Sequence, residues 1–178
     1  MITPYIFLNR LFLPMKTPRG IRNNNPLNIR HSANHWQGVL PEQNDKSFVQ
    51  FINLDYGYRA AWKILQSYYH LFCEENRPFT VGNIIHRWAP PSENDTKAYL
   101  RTLLRISGLG GNERLIPPCN PMGYNRLSLL LIAMTCVECG LGKEKVEKNA
   151  ILNGYLLAFP ENRNRLRACM EAEEEYFH

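Results

Sequence analysis

Glu138 is the residue of this 178-residue chain whose setting most suggests chemistry. It is the only acid between Glu113 and Glu144, and it follows the apolar run from Leu127 to Val137. A charge there is disfavoured by desolvation beside that run and by the negative end of a helix. A general acid needs such a setting, because it must keep its proton until a leaving group takes it. The alternative is a side chain that reaches water or pairs with Lys143 or Lys145, and the sequence leaves both open.

Two other clusters carry polar chemistry. In Arg19-Gly-Ile-Arg-Asn-Asn-Asn-Pro-Leu-Asn-Ile-Arg30, amides that donate and accept stand beside arginines, a combination suited to sugar hydroxyls and N-acetyl groups. The same amides could equally hold a turn together. In Arg87-Trp-Ala-Pro-Pro-Ser-Glu-Asn-Asp-Thr96, Glu93 could act in catalysis, while Asn94 and Asp95 are what a helix start needs. Cys136 and Cys139 form a lone thiol pair without a second pair at zinc spacing, which favours core packing over metal. His31 and His35 lie in a loop, where helical metal spacing carries no meaning, so neither metal nor cofactor is expected. Phosphate-binding and nucleophile-elbow motifs are absent.

The elements that must position these residues are mostly helices. Asparagines before proline favour turns, and short alternating segments at 28–30, 36–40 and 47–52 predict a small antiparallel β flap at 28–52. Helical spacing starts at Asp55, the expected N-cap, and continues through Tyr68. Thr80 caps a short helix to Trp88, stopped by Pro90-Pro91. Asn94 or Asp95 opens another, with Tyr99 among its apolar positions, and Gly108 ends it. A Gly- and Pro-rich loop leads to an apolar helix over 124–139, ended by Gly140. Further helices are expected over 143–159 and 161–176. The fold class is α+β, mainly α, as one domain over 19–178 after an N-terminal extension at 1–18.

Composition narrows the function classes. Hydrophobic residues at 44% and charged residues at 21% are ordinary globular usage and exclude disorder and fibrous repeats. No apolar run approaches the roughly 18 residues of a spanning helix. The net charge is +5, although Glu171, Glu173, Glu174 and Glu175 gather in the last eight residues. A basic body suits a polyanion, whether nucleic acid, an anionic membrane or an acidic cell wall. Nucleic acid rests on charge alone, since no aromatic–basic interleaving defines such a module, and it is not expected as a partner. Five cysteines, an odd number, suggest reduced thiols and a cytoplasmic origin. The apolar start at 1–16 is broken by Asn9 and Arg10 and lacks a small-residue cleavage site.

The string Arg19–Arg30, with Trp36-Gln-Gly38, Asp45, Phe48, Phe51, Tyr56-Gly-Tyr-Arg-Ala60 and Arg87-Trp-Ala-Pro-Pro91 before Glu93-Asn-Asp-Thr96, resembles phage-type structural lysis proteins over about 19–159. The usual pattern has Gly where this chain has Leu27. A weaker similarity joins the Asn-Asn segment, Trp36-x-Gly38 and Val137-Glu-Cys-Gly140 to glucosaminidases of the lysozyme superfamily. Their acid precedes the Asn segment, so the order here implies a circularly permuted, lysozyme-like domain. The resemblance implies a peptidoglycan-cleaving glycosidase or lytic transglycosylase acting on glycan strands, with virion components as further partners. The protein would be cytoplasmic or virion-associated and act at the bacterial cell wall. Glu138 would be the acid, with Asp45 as the first choice of second carboxylate and Glu93 and Asp55 after it. Asn24, Asn25, Arg30, Trp36 and Tyr56 would hold the glycan. A non-catalytic virion or wall-binding protein is the rival reading.

Overall fold

A computed structural model describes residues 17–176, so the expectations for the N-terminal segment at 1–16 lie outside the described residues. The chain is mainly helical. Helix α1 (Arg19–Arg22) is a single turn, followed by α2 (Leu54–Glu74), α3 (Val81–Trp88), α4 (Thr96–Ser107), α5 (Tyr124–Cys139), α6 (Lys148–Ala158) and α7 (Arg163–Tyr176). Short 3-10 turns at Lys143–Lys145 and Pro160–Asn162 replace the first turns of the two C-terminal helices expected from sequence.

Capping chemistry explains most boundaries. The Thr80 hydroxyl accepts from the Asn83 amide at the start of α3, and Asp95 accepts from Ala98 at the start of α4. Gly108 and Gly140 end α4 and α5 at φ of 72° and 62°, a backbone region that glycine enters without a Cβ penalty. The cap of α2 is a correction. Asn53, in extended conformation, accepts from the Tyr56 amide, which leaves Asp55 inside the first turn.

Helix α5 is largely apolar and packs into the main core, with Leu127, Leu130, Leu131, Ala133 and Met134 fully buried. Helices α2 and α6 pack closely through Gly154, where an added Cβ would lie 2.7 Å from the Tyr58 Cβ and 2.9 Å from the Asp55 carbonyl oxygen. Across that contact Trp62 is buried, donates its indole N–H to the Ile151 carbonyl at 3.0 Å and meets the Tyr155 ring at 5.0 Å. Cys136 and Cys139 are both buried, as the core-packing reading expects.

The region read as a β flap is a lobe held mainly by side chains and isolated antiparallel bridges, Arg30 with Phe48 and Val39 with Phe51. Asn25 is fully buried at its centre. Its amide donates to the Ile29 and Val49 carbonyls, each at 2.8 Å, and its oxygen accepts from the Ile29 N–H at 2.8 Å. Those three bonds do locally what a strand ladder does over several residues. Ile29, Val49, Phe51 and Ala60 form a second small core beneath, joined by Trp36, Tyr56 and Trp88.

Candidate functional site

Glu138 stands in the last turn of α5, half-buried, where three other parts of the chain converge. Its Oε1 accepts from the Trp88 indole at the end of α3 and from the Tyr99 hydroxyl on α4, both at 3.1 Å. Its Oε2 accepts from the Asn28 amide at 3.0 Å. Burial and the helix dipole count against a carboxylate here, and three donors favour one. Pairing with Lys143 or Lys145 is not seen among the described ion pairs. Burial, and then the adjacent Glu138 charge, push the Tyr99 phenol well above the ordinary tyrosine range, so it stays a donor. Burial, followed by Glu138, also raises the Cys139 thiol to about 11.

Backbone conformation brings Asn28 to this point. Asn24 and Asn28 take φ of 50° and 51°, a left-handed region that asparagine tolerates better than most residues. Leu27, where the resembled pattern has glycine, is not at positive φ and is buried in the main core, so leucine fits the turn. Gly20 in α1 lets the loop approach the end of α5. A Cβ there would lie 2.9 Å from both the Cys139 sulfur and the Asn25 carbonyl oxygen.

Glu138 lies in a groove of about 400 Å³, whose rim includes Asn28, Arg30, Phe48, Trp88, Glu93 and Asn94. A second cavity of about 470 Å³ adjoins it and contains Trp36, His35 and Asn34. Ile29, Arg30, Ile64 and Tyr68 line both.

The structure sorts the residues expected at the site. Glu138, Glu93 and Arg30 share the groove, and Trp36 lines its neighbour. Asp45 does not serve as a free second carboxylate. It accepts two bonds from the Arg19 guanidinium, at 2.6 and 2.5 Å, one from Asn23 at 2.7 Å, and the backbone amides of Ser47 and Phe48. Arg19 first, against the opposing effect of burial, and then Asn23 and the two amides hold its carboxyl far below the usual carboxylate range. Asn25 is spent on the loop backbone, and Asn24 donates to the Phe51 carbonyl at 3.0 Å. Tyr56 packs its ring against Gly38, where any Cβ would collide with it. The amide cluster therefore works inward, as a turn that holds itself together. Sequence reasoning missed the three donors to Glu138. Asn28 and Trp88 stood in the quoted motifs without a role, and Tyr99 counted only as an apolar helix position.

Among the described residues no group of His, Cys, Asp and Glu is arranged to hold a metal, and no helix is long and apolar enough to cross a membrane. No family model matches the chain. A stretch of 100 residues is 36% identical to Protein P5 of Pseudoalteromonas phage PM2, covering 54% of this chain. The match spans 60% of that relative's length. The chain is thus similar to a phage protein over about half its length.

Proposed function

We propose that this chain is a phage-type peptidoglycan-cleaving enzyme in which Glu138 is the general acid. The observation that carries the reading is a half-buried carboxylate fixed in a groove by donors from three separate elements. Oε1 takes two donors and Oε2 takes one, so Oε2 keeps an acceptor position for the transferable proton. The protonated carboxyl would give that proton to the glycosidic oxygen between N-acetylmuramic acid and N-acetylglucosamine. The three donors would then stabilise the carboxylate left behind.

The arrangement favours transglycosylation over hydrolysis. A hydrolase commonly uses two carboxylates flanking the bond. Asp45 is held by Arg19, and Glu93 is an exposed rim residue with no described contact to Glu138. In transglycosylation the 6-hydroxyl of the muramic acid attacks its own C1 as the C1–O bond breaks. The hydroxyl proton returns to the Glu138 carboxylate, and an anhydro ring forms without water. Similarity to a phage protein supports a virion or lysis setting.

The test is release of soluble muropeptides from purified sacculi, with mass spectrometry separating anhydro from hydrolysed ends. Wild type should release anhydro products, and Glu138→Gln should lose roughly 10²–10⁴-fold in rate. Equal rates would remove Glu138 from the chemistry. Hydrolysed ends, lost in Glu93→Gln, would make the enzyme a hydrolase with Glu93 as its second carboxylate. Binding to sacculi without any release by wild type would favour a wall-binding module.

A further inference from the structure

We infer that Arg30 and Arg87 read a carboxylate on the glycan, selecting strands with acidic sugars over neutral chitin-type polymers. This rests on the groove being a glycan site and adds what its charge selects. The two guanidiniums are exposed, and both line the groove that holds Glu138. Among the described residues neither takes part in an ion pair, whereas Arg19, Arg77, Arg126 and Arg167 each have an acidic partner. Each is instead laid over an aromatic ring: Arg30 is 5.3 Å from the centroid of Phe48, and Arg87 is 5.9 Å from that of Tyr68. A guanidinium held over a ring can still offer its N–H edge to a bidentate carboxylate.

Arg30 and Tyr68 stand where the Glu138 groove meets the second cavity. That cavity carries Arg30, Lys63 and His35 and has no acid in its lining. Lys63 lines only the second cavity, whereas Arg30 lines both, so Arg30 is the cation placed to meet a ligand at the junction. The junction is offset from the reacting carboxyl, and in a glycan strand stripped of its stem peptides every second sugar carries a free lactyl carboxylate, a group that intact peptidoglycan ties up as an amide. An anion held at the junction therefore sets the register of the strand, so that one of its two alternating bonds faces Glu138. Exposed arginine–carboxylate pairs are individually weak and sensitive to salt. Their selection is accordingly moderate and is strongest at low ionic strength.

The test uses Glu138→Gln, so that binding is measured without turnover. The probes are chitohexaose, which is neutral, and amidase-stripped glycan strands, which carry one free carboxylate per disaccharide. In low salt the stripped strands should bind roughly ten-fold tighter, as two exposed charge pairs imply. Adding Arg30→Gln and Arg87→Gln should bring that ratio close to one, and so should high salt. Circular dichroism checks that the fold is kept. Equal affinity for the two glycans, or a ratio unmoved by the arginine changes, overturns this inference while leaving the Glu138 chemistry standing. Failure to bind either glycan overturns both readings. Tighter binding of a single-stranded oligonucleotide than of stripped strands would make the clamp a phosphate site and overturn the carboxylate assignment.

Discussion

Replacing Glu138 by glutamine should destabilise the protein, although a half-buried carboxylate at a helix C-terminus suggests the opposite. Burial and the helix dipole both oppose the charge, the dipole by about 0.3–1 kcal/mol. Against them stand three bonds, from Trp88, Tyr99 and Asn28. Hydrogen bonds to a charged acceptor contribute about 1.5–3 kcal/mol each, and neutral ones about 1 kcal/mol. Glutamine can keep its oxygen toward Trp88 and Tyr99, but its new NH₂ group then faces the NH₂ of Asn28. Asn28 can relieve the clash by turning over its amide, because its oxygen is buried without a partner in the present orientation. Its own NH₂ then loses Glu138. The balance is a loss of about 1–2 kcal/mol. Glu138→Ala removes the acceptor and leaves three donors without it, so water from the groove replaces only part of the interaction and the cost rises to about 2–4 kcal/mol. For a chain of this length 1 kcal/mol moves Tm by about 2–4 °C. Urea unfolding at neutral pH, followed by circular dichroism, measures both variants. A Glu138→Gln protein as stable as wild type, or more so, would refute this reasoning and restore burial and the dipole as the dominant forces.

Asp45→Asn should weaken the Asn-rich lobe without touching the chemistry of the groove. Because the folded carboxyl is held below its unfolded value, its stabilisation is fully present above about pH 4 and is lost as the pH falls further. The stability gap between wild type and Asp45→Asn should therefore be widest near neutrality and shrink on acidification, as urea melts from pH 7 to pH 3 would show. Asp95→Ala removes the acceptor for the Ala98 amide and should cost about 1 kcal/mol, with muropeptide release per folded molecule unchanged.

The helical frame was readable because its signals are local. Thr80, Asp95, Gly108 and Gly140 act within a few residues of the boundaries they set. Asp55 misled because two cap-competent residues lie in one stretch, and the one in extended conformation, Asn53, takes the role. The alternating segments at 28–52 marked residues that do face each other, as Arg30 faces Phe48. Alternation does not say whether a ladder or a side chain carries the pairing, and here the Asn25 amide does much of that work.

The surroundings of Glu138 were hidden for a different reason. Its partners lie 110, 50 and 39 positions away in sequence, on a loop and two helices, and no periodicity links them. Tyr99 was legible only as an apolar position, although a tyrosine there carries a hydroxyl that needs a partner once buried. Gly20 is the clearest overlooked pointer. A glycine inside a helical turn weakens that turn, so its presence implies a close approach by another part of the chain. That approach is to Cys139, next to Glu138. The Asn-rich block and the acid over a hundred residues later are thus halves of one structure. Its amides, read as sugar ligands, shape the loop from within, and Asn28 reaches the carboxyl. The groove itself is lined instead by aromatic and cationic residues, among them Phe48, Tyr68, Trp88, Arg30 and Arg87.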